Sequence, residues 1–154
     1  DELVEKVRAI AEGAALITGA RLEWVHPSPA NADMVTNFTL ARTLDKHVRE
    51  VGLAMPEAKA EQASGSTDWG NVSYVVPSVE TSYPIIDRVC TWHSMDVVNA
   101  ADSEMGYENT IRVAKAMALA GLDVMRDEEL RMAVRAEFEQ KLPVETREMV
   151  RSLA

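Results

Sequence analysis

The sequence is poor in cysteine, histidine and long apolar runs, and each shortage excludes a class of structure. One cysteine, Cys90, excludes an internal disulfide, favours a reducing compartment and leads us to expect a cytoplasmic protein. Three histidines with no HxH, HxxxH or CxxC pattern cannot complete a metal site from within this chain. The longest apolar stretches, such as residues 116–122, are too short to span a bilayer, and no signal peptide is visible. We therefore expect no contact with a membrane.

Positive charge is also scarce. The chain has 16 basic against 25 acidic residues, a net charge of −9, and no basic stripe. Such a surface argues against binding to nucleic acid. The 154 residues suffice for one core, with an ordinary hydrophobic content of 47%. Because the chain starts at Asp1 without methionine and a helical pattern begins at once, we expect a processed product or one piece of a longer chain.

Apolar periodicity predicts five helices. The first covers residues 1–19, with Gly19 as its stop, and the second runs from an Asn37 cap to Gly52. Two more cover residues 104–122 and 128–142, and a short charged helix follows. In the helix over 104–122, five residues are expected to face the core: Ile111, Ala114, Met117, Ala118 and Leu122.

Three segments have the composition of strands: residues 20–25, 71–79 and 85–89. Together with the helices they predict an α/β fold. A helix followed by one strand cannot form a core alone. We therefore expect the N-terminal piece to dock on strands that this chain does not contain.

His93, in the stretch TWHSMDVV, lies between a strand-like segment and a helical one. A histidine in that position can be a general base, a metal ligand or a structural residue. The other two histidines offer less, because His26 lies in a proline-rich loop and His47 on a helix face. From the residues alone, His93 can still be a structural residue and not a ligand or a base.

The loop GSTDWG, residues 65–70, combines two glycines with Ser66, Thr67 and Asp68. Exposed backbone N–H groups and hydroxyls can hold an anionic or amide group. The plainer alternative is a tight turn in which Asp68 caps its own backbone. Turn chemistry alone accounts for all six residues.

Taken in order, SGSTDWGNVSYVVPSV, WHS and AKAMALAGLDVM resemble the C-terminal part of M20-family metallohydrolases, in particular the aminobenzoyl-glutamate hydrolase-like branch. The resemblance implies that residues 35–154 are the C-terminal part of a zinc-peptidase-like α/β catalytic domain. It also implies that residues 1–34 are the last helix and strand of an α+β lid domain, through which such enzymes dimerise.

The activity implied by this resemblance is hydrolysis of a C–N bond by water held at two divalent metal ions, zinc or manganese or else cobalt. The substrate would be an N-acyl or aminobenzoyl amino acid, or a dipeptide. A variant is deamination of an activated aromatic acid such as a nitro-anthranilate, which the neighbouring Trp69 and Trp92 fit loosely. The family's last metal ligand corresponds to His93. Its general-base Glu and other ligands belong to an N-terminal part, so this chain carries no catalytic residue of its own.

The resemblance also implies substrate contacts. Gly65 and Ser66 correspond to positions that contact the substrate's carboxylate, and Asn37 is a weaker match at the return from the lid. Arg21 could bind a carboxylate from the lid or be a plain exposed arginine.

The expected partners are the N-terminal part of the enzyme as a separate chain in a nicked or split particle, a second copy through the lid, and a small-molecule substrate. The competing hypothesis is a non-catalytic domain that binds a partner or ligand through its lid surface.

Overall fold

The computed structural model describes residues 2–25, 31–54 and 66–151, which contain seven helices. In chain order these are α1 (Glu2–Thr18), α2 (Phe38–Glu50), α3 (Trp69–Ser73), α4 (Met95–Ala101), α5 (Glu104–Arg126), α6 (Glu128–Lys141) and α7 (Val144–Arg151). β-structure in the described residues is confined to one isolated parallel bridge between Thr36 and Ser78.

The prediction of an α/β fold is therefore wrong for the part of the chain that the structure describes. Residues 21–25 and 85–89 form neither helix nor strand, and the first half of the predicted strand over 71–79 belongs to α3 and the turn after it. β-branched and aromatic residues favour a strand only where a neighbouring strand can pair with it. In these ranges no neighbouring strand is present, so the short apolar segments take other conformations.

The helix predictions are confirmed. Asn37 caps α2, its Oδ1 accepting a hydrogen bond of 2.9 Å from the backbone N–H of Leu40. Gly19 and Gly52 follow α1 and α2 with φ of 70° and 80°, the left-handed conformation in which glycine commonly ends a helix. The helices predicted over 104–122 and 128–142 correspond to α5 and α6, and the short charged helix corresponds to α7.

The main core forms where α2 packs against α5. Leu44 and Val48 of α2 meet Val113, Ala116 and Ala120 of α5. The predicted inner face of α5 is wrong, because Ile111 and Met117 are each 56% exposed. Apolar residues occur around most of α5, so periodicity does not single out one face. Small side chains at the contact let the two helices approach closely.

A second apolar cluster joins the end of α3 and the segment 31–36 to α6. Tyr74 packs with Phe138 and Leu142, and Ala32 and Val35 cover them. By contrast, α1 has no buried residue, and its apolar face is exposed, with Ile10 at 73%. None of the helices in the described residues has both the length and the apolarity needed to cross a bilayer.

Candidate functional site

The described part of the 65–70 loop begins at exposed Ser66 and leads into α3, while Gly65 lies outside the described residues. Asp68 occupies the N-cap position, but its side chain makes no capping hydrogen bond. Thr67 takes that role instead, since its Oγ1 accepts from the backbone N–H of Trp69 at 3.2 Å. The self-capping alternative for Asp68 is therefore not what the structure contains, and its carboxylate stays exposed.

The residues after this loop hold the segment 31–36. The backbone N–H of Ala32 donates to Asn71 Oδ1 at 2.6 Å, and that of Val35 donates to Ser73 Oγ at 3.0 Å. A Cβ on Gly70 would lie 1.9 Å from the carbonyl oxygen of Ala32, so only glycine fits at that approach. Most of the GNVSY motif thus serves to fix a neighbouring segment.

Tyr74 completes this attachment. Its hydroxyl donates to Asp33 Oδ1 at 2.8 Å. Burial, followed by the bond to this carboxylate, raises the pKa of Tyr74 to about 12, so the phenol remains a donor at neutral pH.

A cavity of about 500 Å³ opens beside the loop, between α2 and α5. This volume is in the range of small-molecule sites. Its buried wall includes Leu44, Val113 and Ala120, and its exposed edge includes Asp68 and Glu80. Sequence reasoning missed Glu80, because it follows no motif and is separated from Asp68 by α3 and a turn.

His93 lies in a loop immediately before α4 and is exposed. Its φ of 58° makes it the one residue other than glycine with positive φ in the described ranges. A left-handed conformation costs a non-glycine residue roughly 1 kcal/mol or more, and such strain is concentrated at functional sites.

An ion pair closes the loop that carries His93. Arg88 binds Asp96 through two bonds, Nη1 to Oδ2 at 3.1 Å and Nη2 to Oδ1 at 3.0 Å. The guanidinium lowers the pKa of Asp96, first through the hydrogen bond and then through its charge. The hydroxyl of Ser94, next to His93, is buried without a hydrogen-bond partner among the described residues. The Arg88–Asp96 pair thus closes the loop that presents His93, next to a buried Ser94 hydroxyl that has no hydrogen-bond partner among the described residues.

The described residues do not complete a metal site, since no group of three or more His, Cys, Asp or Glu side chains is placed to hold an ion. The metal ligand that this chain is predicted to offer is the exposed imidazole of His93. A metal centre that includes it needs ligands from outside the described residues. The role of His93 as a metal ligand stays a prediction.

Asn37 and Arg21, the other two residues predicted to contact substrate, lie in different surroundings. Asn37 is 2% exposed, and both ends of its amide are used, Nδ2 donating to the carbonyl oxygen of Val134 at 2.9 Å. The structure thus gives Asn37 a capping and bridging role between α2 and α6. Arg21 is exposed in the segment after α1. Contact of either residue with a substrate stays a prediction.

No family model matches the chain. Two curated proteins are similar to it, both named Xaa-Arg dipeptidase. The one from Mus musculus is 32% identical over 145 residues and the one from Homo sapiens 30% identical over 145 residues. These similarities support the M20 peptidase family. Neither relative is named an aminobenzoyl-glutamate hydrolase.

Each alignment covers 93% of this chain but 33% of the relative, so the chain spans about a third of the length of the curated relatives it matches.

Proposed function

We propose that this chain is part of an M20-type metallopeptidase that hydrolyses the peptide bond of dipeptides with a basic C-terminal residue. The observation that carries the proposal is the similarity along 93% of the chain to two proteins named Xaa-Arg dipeptidase. That name favours a dipeptide over the other substrates expected from the sequence, the aminobenzoyl amides and activated aromatic amines. The cytoplasm remains the compartment that we expect from the single cysteine.

The enzyme proposed here uses two divalent metal ions, which when bound lower the pKa of water and polarise the scissile carbonyl. His93 supplies one imidazole ligand. Its exposure and left-handed backbone support this role, because the imidazole is held away from the core and open to ligands from elsewhere. The remaining ligands and the general base come from the rest of the enzyme, present as a separate chain or as a longer one. A homodimer through the segment that contains α1 is part of the same proposal.

Ser66 binds the substrate's carboxylate in this scheme. It is exposed and immediately precedes Thr67, whose hydroxyl holds the start of α3. A fixed turn that carries an exposed serine is suited to orient an anion. The Ser66→Ala change is expected to raise KM with metal content unchanged.

The first test is mass spectrometry of every chain in the purified particle, combined with elemental analysis for zinc, manganese and cobalt. We expect a complementary polypeptide, or a longer chain, and divalent metal. Material that consists of this polypeptide alone, binds no divalent metal and cleaves no dipeptide would overturn the proposal.

The second test separates the imidazole of His93 from its backbone conformation. Asparagine tolerates positive φ but offers no imidazole, so His93→Asn keeps the backbone and removes the ligand. We expect His93→Asn and His93→Ala each to lose one metal equivalent and nearly all turnover with the fold retained. Full metal content in both variants would show that His93 is structural.

A further inference from the structure

The cavity between α2 and α5 has an apolar interior. Leu44, Val113 and Ala120 are 3%, 4% and 4% exposed and form its floor, and Leu40 and Met117 extend its apolar wall. Aliphatic surface of this kind favours a ligand with a methylene chain. The exposed residues at its edge differ in character.

The edge of the cavity is acidic. Asp68 and Glu80 are both exposed, and the cavity is lined by no lysine, arginine or histidine in the residues that the structure describes. Among those residues neither carboxylate forms a salt bridge. Each is therefore able to take up a cation brought by a ligand.

Trp69 stands at the same edge and is 43% exposed. An indole face attracts a guanidinium or ammonium group, and two carboxylates nearby strengthen that preference. Apolar floor, aromatic edge and acidic rim together match one chemical type: an aliphatic stem that ends in a cation, as in the side chains of arginine and lysine.

The cavity lies next to the residue proposed to bind the substrate's carboxylate. Ser66, the proposed contact for the substrate's carboxylate, directly precedes Thr67, which lines the cavity. A C-terminal residue whose carboxylate is held at Ser66 has its side chain within a few ångströms of this loop.

We infer that this cavity receives the basic side chain of the substrate's C-terminal residue, with Asp68 and Glu80 as the residues that determine specificity. The inference rests on the proposed function, because it assigns a pocket to one part of the proposed substrate. The distinction that it draws is between a cationic and a neutral side chain of equal shape.

The test compares a dipeptide that ends in arginine with the same dipeptide ending in citrulline, which replaces the guanidinium by a neutral urea. The intact enzyme is used, and the readout is the ratio of the two kcat/KM values. In the double variant Asp68→Asn, Glu80→Gln we expect this ratio to fall about fivefold or more, since two exposed ion pairs are lost.

The control removes two negative charges elsewhere. Glu108 and Glu139 are exposed on α5 and α6, outside the cavity, and each is paired with an arginine one turn along its own helix. The double variant Glu108→Gln, Glu139→Gln should keep the ratio within twofold. A smaller fall in the Asp68, Glu80 variant, or an equal fall in the control, would overturn the inference.

A second variant tests the cavity through its volume. Gly121 lines the cavity, and a Cβ there meets no atom within 4 Å. Gly121→Leu places a side chain in the open space, whereas Gly121→Ala adds one methyl and serves as its control. Both remove a helical glycine, so neither should lower the thermal midpoint.

Binding of Nα-acetylarginine and Nα-acetylcitrulline, measured by calorimetry, is the readout for this pair because it needs no turnover. We expect a preference for the arginine derivative that Gly121→Leu reduces at least fivefold and Gly121→Ala does not. An enzyme that cleaves no dipeptide but keeps this preference would refute the proposed function and leave the pocket standing. Cleavage of both dipeptides without any preference would refute the pocket and leave the proposed function standing.

Discussion

His47 and Asp123 join α2 to α5 through a hydrogen bond of 2.7 Å between the imidazole Nε2 and the carboxylate Oδ2. The other ring nitrogen, Nδ1, lies 2.6 Å from Glu50 Oε2. A neutral imidazole has one N–H, so both carboxylates can accept only from the protonated ring. The His47 side chain is 6% exposed, and the bond to Asp123 raises its pKa although burial opposes the change.

This arrangement predicts that the stability of the fold declines as the pH rises above 6.5. Because the pKa of His47 is higher in the folded state than its ordinary 6.5, the stabilisation is fully present below pH 6.5. It is lost as the pH rises through the folded-state pKa. Urea unfolding between pH 5.5 and 9 should show this decline, and His47→Gln should be less stable at pH 6 and flatter across the range. Identical pH profiles for the two proteins would contradict the prediction.

Glu137 is expected to stabilise the start of α2 at neutral pH and to lose this effect in acid. Its carboxylate accepts from the backbone N–H groups of Phe38 at 2.7 Å and Thr39 at 2.8 Å, and Lys141 donates to it at 2.7 Å. Burial alone would raise its pKa, but the hydrogen bonds from Lys141, Thr39 and Phe38 lower it from 4.5 to about 2.

A lowered folded-state pKa gives stability that is present above pH 4.5 and is lost as the pH falls towards 2. We expect Glu137→Gln to cost about 3 kcal/mol at pH 7, from roughly 1.4 kcal/mol per pKa unit, with a weaker dependence on acid pH. Glu139→Gln is the control in the same helix, because Glu139 is exposed and pairs with Arg135 alone in the described residues. Its effect should stay below about 1 kcal/mol. Equal losses in the two variants would remove the special role of Glu137.

The five predicted helices could be read from the sequence because their signals are local, whereas the short helix α3 was not predicted and the short helix α4 was not among the five. An Asn37 cap, left-handed glycines at 19 and 52, and a long apolar period define where α1, α2 and α5 begin or end. Each of these signals depends on residues within a few positions of one another. The same local information failed for residues 71–79, since a strand needs a pairing partner, and that partner can lie far away in the sequence.

The candidate site was accessible to sequence reasoning only in part. The 65–70 loop and His93 were singled out by their residue types, and the resemblance to a family then assigned them roles; the exposed carboxylate of Asp68 was not foreseen, because the capping role passed to Thr67. Glu80 and Asp68 line the same cavity beside α2 and α5, although α3 and a turn separate them in the sequence. Tertiary contacts of this kind leave no period or spacing in the sequence.

Gly70 offers a test of how firmly the segment 31–36 is attached to α3. A Cβ there would lie 1.9 Å from the Ala32 carbonyl oxygen and 2.9 Å from its carbon, so the backbone itself must move. We expect Gly70→Ala to cost about 2 kcal/mol or more in urea unfolding. Gly13→Ala is the matched control in α1, where a Cβ meets nothing within 4 Å, and should stabilise by up to about 1 kcal/mol. If Gly70→Ala leaves the free energy of unfolding unchanged, the segment 31–36 separates from α3 at little cost.

The pair Arg88–Asp96 is expected to act on metal binding rather than on stability. Both side chains are largely exposed, at 59% and 45%, so breaking the pair should hardly change the thermal midpoint. Its two bonds close the loop that presents His93, and a ligand that is less well oriented binds its metal more weakly. Asp96→Asn in the intact enzyme should therefore weaken metal affinity about tenfold, measured by competition with a chelator. Asp45→Asn breaks a similar exposed pair with Arg49 on α2, at 2.8 Å, and should leave the affinity unchanged. If Asp96→Asn binds metal as tightly as the unmodified enzyme, either the ion pair does not position the loop or His93 is not a ligand, and the metal content of His93→Asn distinguishes the two.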